Sequence, residues 1–288
     1  MLPFILALGA SGAWGSADFM AGLASRRLPV ITVLLVSQAF GFAILALAVA
    51  ILVTVRREPL PELQFVLAAA GSGAFSALAL AAFYRGLAVG TMSVVAPIAA
   101  TDALVPVLFA MGIGQSLTGM QAVGAGLALI GVVLASRPGE GERADRRRVA
   151  RGVWLALLAA LAFGLYVVTL DAASEASVMW AVFFNRLTAL ALIAAAALIS
   201  RPALDVRSAG DAYALLSIGV LDVMAGTLFA GATAAGLLGY VGVIGSLYPV
   251  ITVVLAGIVL RERLTRGQRL GAAIALAGAT VLAFTLSG

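Results

Sequence analysis

Apolar runs of about twenty residues recur along this chain, each closed by a short cluster of Arg, Pro or acidic residues. Ten can be drawn: 3–24, 29–55, 63–89, 92–113, 118–136, 152–172, 176–200, 211–236, 239–260 and 268–286. A bilayer core about 30 Å thick takes roughly 20 helical residues to cross. Lipid offers nothing to an open strand edge, so runs of this kind must be helices. The pattern predicts an all-α polytopic membrane protein with ten transmembrane helices. The first run lacks a basic leader and continues past signal-peptide length, so it reads as a first span. Small residues at helical spacing, such as Ser11, Gly15 and Gly22 around Asp18, let helices approach closely.

One long polar segment interrupts the pattern at 137–151, RPGEGERADRRRVAR. It reads as a linker between a first repeat at 1–136 and a second at 152–288, five spans each. The halves match in sequence. Residues 115–133, QSLTGMQAVGAGLALIGVV, fall over 262–280, ERLTRGQRLGAAIALAGAT, at an offset of 147. Trp14-Gly15 falls over Phe163-Gly164 at 149. An odd number of spans per repeat inverts the second copy in the membrane, as in secondary transporters, whose sites lie at the repeat interface.

Composition narrows the function. The chain is 63% hydrophobic and 11% charged, with a mean hydropathy of +1.13. A soluble domain is nearer half apolar and a quarter charged, so a soluble enzyme and a disordered chain are both excluded. All 18 basic residues are Arg, and Cys and His are absent. Disulfides, thiol chemistry, the usual zinc sites and imidazole acid–base work go with them. The net charge of +5 reflects loop arginines facing lipid headgroups rather than nucleic acid. No phosphate-cradling motif is present, which argues against transport driven by this chain's own ATP hydrolysis, and no cofactor is implied.

Ionisable groups deep in spans are costly and point to function. Four qualify: Asp18, Asp102, Arg186 and Asp222. At most one Asp pairs tightly with Arg186, which leaves about two carboxyl groups for proton carriage, for binding cationic groups, or for neutral hydrogen bonding between helices. Asp18 leads as the proton-coupling residue, because it shares a face with Ser11, Gly15 and Gly22 and falls opposite Val167 in the repeat. Arg186 either clamps a carboxylate or phosphate of a substrate or serves as the permanent partner of an Asp. Asp102 lies between Pro97 and Pro106, which either break the helix at a site or bend it for packing. Asp222 has Gly219, Gly226, Phe229 and Thr233 on its face. Trp14, Tyr84, Tyr166, Trp180 and Tyr248 are candidates to line a substrate cavity, whereas Trp154 reads as an interface anchor.

The residues also resemble a known family. Trp14-Gly15-Ser16, Tyr84-Arg85-Gly86-Leu87, and Tyr248-Pro249 followed by Arg261-Glu262-Arg263-Leu264-Thr265 are similar to the EamA-type transporters of the drug/metabolite transporter superfamily. The first half departs from that pattern. Gln115-Ser116-Leu117-Thr118 replaces Glu-Arg-Leu-Thr, Asp102 stands over Pro249, and Gln38 stands over Arg186. The resemblance implies ten helices in two inverted five-helix repeats around a central cavity. It implies movement of small metabolites, often outward, without fixing the substrate. Asp18 resembles the coupling acid of the small multidrug resistance relatives.

The expected function is a secondary transporter of a small metabolite (amino acid, sugar or drug-like compound). It would work by alternating access, the two halves rocking about a midplane cavity, with proton-coupled export. The alternative is a membrane-embedded flippase or enzyme acting on a lipid-linked substrate. The expected partners are the small-molecule substrate, the lipid bilayer and protons, and the chain is a monomer or a homodimer. Its Ala- and Arg-rich, Lys-free usage suggests a GC-rich bacterial genome, and the expected location is the bacterial inner membrane. Fifteen arginines fall in loops on one side and two on the other, which by the positive-inside rule puts both termini outside. The family resemblance implies both termini inside.

Overall fold

The computed structural model describes residues 1–25, 27–89, 98–114, 118–135, 146–201, 206, 208–236, 238–259 and 266–285. Pro97, residues 115–117, residues 137–145 of the polar segment and the 261–265 motif lie outside them. Among the described residues the structure is helical, without a strand. The first half gives α1 (Leu2–Ala24), α2 (Val30–Arg56), α3 (Leu63–Val89), a 3-10 segment (Ala100–Ala103) running into α4 (Leu104–Gly112), and α5 (Gly119–Ala135). The second gives α6 (Arg146–Ser174), α7 (Val178–Ser200), α8 (Ala209–Ala234), α9 (Leu238–Gly245), α10 (Tyr248–Val259) and α11 (Arg266–Thr285). Among the described residues, five stretches are long and apolar enough to cross a membrane: Val30–Val55, Leu63–Gly86, Gly152–Ser174, Val178–Ser200 and Ala209–Ala234.

The burial pattern is that of a protein solvated by lipid. The inward face of α1 is Ala7, Ala10, Ser11, Ala13, Gly15, Ala17, Ala21 and Ala24. Leu47, Val55, Leu67, Leu198 and Ile199 point outward and are more than half exposed. Water would not tolerate such a surface, whereas hydrocarbon costs it nothing and small inward residues let backbones meet. Trp154 is exposed near the start of a span, as an interface anchor would be.

Two expected helices differ in detail. The run 239–260 is broken between α9 and α10. Pro249 sits in the first turn of α10, where its missing N–H is tolerated, but the carbonyl of Gly245 thereby loses its helical donor. Ser11 on α1 stands in for it: its hydroxyl lies 3.0 Å from the Gly245 carbonyl and also within reach of the Ile244 and Ala7 carbonyls, which share its one hydrogen. In the first half the 3-10 segment and Pro106 occupy the corresponding place. In the second half α6 starts earlier than the apolar run, at Arg146, inside the polar segment.

The closest approaches come in repeat-related pairs. A Cβ on Gly131 would strike the Ala275 backbone, and one on Gly278 the Ala128 backbone. Gly219 abuts the Ser37 carbonyl and the Gly41 amide, while Gly73 abuts the Asn185 carbonyl and the Ala189 amide. Gly15 abuts the Tyr248 carbonyl and Ile251, while Gly164 abuts the Asp102 carbonyl and Val105. The offset between halves therefore drifts: 149 in the first helices, 148 in the second, 146 in the third and fourth, 147 in the fifth. One expectation is corrected by this. Asp102 corresponds to Tyr248 rather than to Pro249, and Asp222 corresponds to Ser76. The most extensive packing joins the halves, α3 with α6, α5 with α11 and α1 with α8.

Candidate functional site

Where the two halves meet, a partly open cavity lies among helices of both. From the first half it is lined by Trp14 and Asp18 on α1, Ser76 and Leu80 on α3, Asp102 on the 3-10 segment and Pro106 on α4. From the second come Phe163, Tyr166 and Val167 on α6, Arg186 on α7, and Asp222 and Phe229 on α8, with Gly242, Gly245, Ser246 and Tyr248 around the α9–α10 break. All four deep ionisable groups thus border one space. Each is carried on a helix whose opposite side faces lipid or another helix, so the inward side is the remaining place for it.

Arg186 is 2% exposed and fully engaged on one edge. Its Nη1 donates to Asp222 Oδ2 and, at 3.2 Å, to Gln38 Oε1. Its Nη2 donates to the Asp222 carbonyl at 2.9 Å. Gln38 completes the triangle by donating through Nε2 to Asp222 Oδ2 at 2.6 Å. Of the two roles open to Arg186, partner of an Asp is the one the geometry displays, and that Asp is Asp222. Gly226, one turn along α8, makes room for the guanidinium, since a Cβ there would stand 3.0 Å from Nη2. Among the described residues Asp18 has no ion pair.

Aromatic rings form one wall. Trp14 meets Tyr166 edge-on at 6.2 Å and Phe229 at 5.4 Å between centroids. Tyr84 is not in the lining but is buried one turn beyond Leu80 on α3, near enough to interact electrostatically with Asp18, Asp222 and Tyr248, and beside Phe83, which packs edge-on against Phe163. One aromatic candidate lies elsewhere. Trp180 stacks on Phe184 and donates its indole N–H to the Pro59 carbonyl at 2.9 Å. There it joins Ser177, whose Oγ donates to Glu58 Oε1 at 2.6 Å, in tying the α2–α3 loop to the start of α7.

Sequence reasoning did not select Gln38, Ser76 or Gly226 for the site. For Gln38 a signal existed, because an amide at depth in α2 needs partners. Gly226 was marked only as a small residue on the face of Asp222, and Ser76 carried no signal, since serine is common in membrane helices. Among the described residues no group of three carboxylates stands where it would hold a metal ion.

A family model described as the EamA-like transporter family matches residues 1–137 and 150–284. No curated protein matches the chain. A solved structure, described only as the crystal structure of a protein, is 20% identical and covers 99% of both chains with a TM-score of 0.79. At that identity the likeness establishes a shared fold.

Proposed function

This chain belongs to the EamA-like transporter family, and from that premise we propose a secondary transporter that carries a small metabolite across the bacterial inner membrane by alternating access. The observation that carries this reading is the cavity itself. It is lined from both halves, holds all four deep charges, and has an aromatic wall and a broken helix at its edge. Such sites at a repeat interface are where transporters bind cargo. The proposed architecture is ten transmembrane helices in two inverted repeats, 1–136 and 152–288, joined by the linker 137–151. The paired glycine contacts support it.

Asp18 is the proposed proton carrier for export. Asp222 is held by Arg186, whereas Asp18 borders the cavity with no ion pair among the described residues. Its repeat counterpart Val167 cannot titrate, so one acid per chain does the coupling. Trp14, Asp102, Tyr166 and Tyr248 complete the proposed cargo surface, and Arg186 and Asp222 hold its shape.

The test is transport in proteoliposomes containing only this chain. A panel of radiolabelled amino acids, sugars and amphipathic amines should include one cargo moved against its gradient by an imposed pH difference. Movement or modification of a lipid-linked substrate, with none of the soluble cargoes transported, would instead establish the flippase or enzyme reading.

A further inference from the structure

The halves cross at a repeated joint that is fastened differently in its two copies. In one, α7 crosses α3 with the Asn185 carbonyl against Gly73; in the other, α2 crosses α8 with the Ser37 carbonyl against Gly219. The α3–α7 joint is fastened by neutral groups. Asn185 Nδ2 donates to Ser72 Oγ at 2.7 Å, and Ser72 Oγ donates to the Tyr166 carbonyl of α6 at 3.3 Å. Asn185 and Ser72 are buried, and neither lines the cavity.

The α2–α8 joint lacks that fastening among the described residues. Ser37, the equivalent of Asn185, returns its hydroxyl to the Leu34 carbonyl of its own helix at 3.3 Å. Ile218, the equivalent of Ser72, has no polar group to offer. Here the tie is a carboxylate: Gln38 Nε2 donates to Asp222 Oδ2 at 2.6 Å. The Asp222 side chain is 16% exposed and lines the cavity. A group entering the cavity can compete for that carboxylate, whereas the Asn185–Ser72 bond is out of its reach.

Interhelical hydrogen bonds hold helices together in lipid, so the fastenings sort the helices into bodies. Asn185, Ser72 and the Tyr166 carbonyl tie α3, α6 and α7 together. α2 joins them through the Gln38–Arg186 bond and the Phe42–Phe183 ring contact at 5.5 Å. α1 and α8 pack on each other as a second body. The cavity is lined from both bodies, and Asp222 reaches from the second to Gln38 and Arg186 on the first.

We infer that the α2–α8 crossing is the joint that moves in the transport stroke, that the α3–α7 crossing stays fixed, and that Asp222 is the catch on the moving joint. This rests on the transporter reading for the word stroke, but the motion itself is measurable without cargo.

The chain has no cysteine, so labels and cross-links go only where they are introduced. Spin labels at the exposed pair Leu47 and Tyr213 report on α2–α8, and the equivalent exposed pair Ala195 and Leu67 reports on α3–α7. Double electron–electron resonance on the full chain in nanodiscs should give a broader distance distribution for Leu47–Tyr213. Asp222→Asn should shift that distribution by about 1–2 Å or more, the scale of helix shifts at interfaces, and leave Ala195–Leu67 in place. If Asp222→Asn does not fold, Gln38→Leu cuts the same α2–α8 bond and should act alike. Equal widths, a shift at Ala195–Leu67, or no shift at either pair overturns the assignment.

Transport in proteoliposomes runs alongside, with matched thiol cross-links. Linking Ser37→Cys to Ile218→Cys should abolish transport until the link is reduced, and linking Ser72→Cys to Asn185→Cys should leave it running. Wild type that shows the label contrast but moves no cargo of the panel overturns the transporter reading and spares the joint. Transport that survives the α2–α8 link overturns the joint and spares the transporter reading.

Discussion

Gln38 and Arg186 occupy the same place in their respective halves, 148 residues apart, and hydrogen-bond to each other at 3.2 Å. Equivalent positions touch only beside the axis that relates them. The Gln38–Arg186–Asp222 triangle therefore sits beside that axis, and the amide-for-guanidinium difference breaks the symmetry there. A symmetric pair would have placed two guanidinium groups in contact.

That triangle predicts a non-additive mutant cycle. Removing one partner of a buried ion pair strands the other and costs about 3–5 kcal/mol, while replacing both with apolar groups costs far less. Arg186→Met alone should sharply lower the melting temperature in detergent, and Arg186→Met with Asp222→Leu should recover more than half of the loss. Additive losses would mean the pair contributes nothing jointly.

Glycine replacements should divide by position. Gly73→Ala and Gly219→Ala each force a methyl into a backbone of the other half, and overpacking of this kind typically costs about 1–3 kcal/mol. The two should destabilise alike. Gly22→Ala meets nothing within 4 Å and should be neutral or stabilising by up to about 1 kcal/mol through helix propensity. Thermal melts of the three variants side by side check this.

Ser11→Ala should act on α9 and α10 from a distance. Without the hydroxyl, the Ile244 and Gly245 carbonyls lose the donor they share, at a cost of about 1–3 kcal/mol. Hydrogen exchange at residues 241–250 should rise more in this variant than exchange across α7.

Asp18→Asn removes the proposed proton carrier and keeps nearly the same shape. Cargo exchange across proteoliposomes at equal pH should persist, and accumulation driven by a pH difference should disappear. Unchanged pH dependence of transport would end the coupling role.

The distribution of arginines predicts both termini outside. A reporter fused after Gly288 that requires the periplasm should be active, and one that requires the cytoplasm should be silent. The opposite result would show that family habit outweighs loop charge here.

Much of the helical order was legible because hydrocarbon imposes length and composition on each run separately. The break before Tyr248 was not. Pro249 marks a weak point, but the donor that makes a break tolerable is Ser11, 234 residues away from Gly245. At the cavity, counting charges showed that one Asp would pair with Arg186. Which one depended on side-chain reach across α7 and α8, which spacing along a chain does not encode. Aligning Asp102 with Pro249 failed for a related reason. A fixed offset assumes loops of equal length in both copies, whereas the backbone contacts of Gly15 and Gly164 pair Asp102 with Tyr248.

The partnerships α1–α8, α3–α6 and α5–α11 each take one helix from either half. Duplication made two units of inheritance, but the packed molecule is not divided along that seam. A motion that pulled the first half from the second would have to tear open all three partnerships at once. A motion between bodies assembled from both copies would leave those partnerships intact, so the repeat seen in the sequence and the packing seen in the fold are two different partitions of one chain.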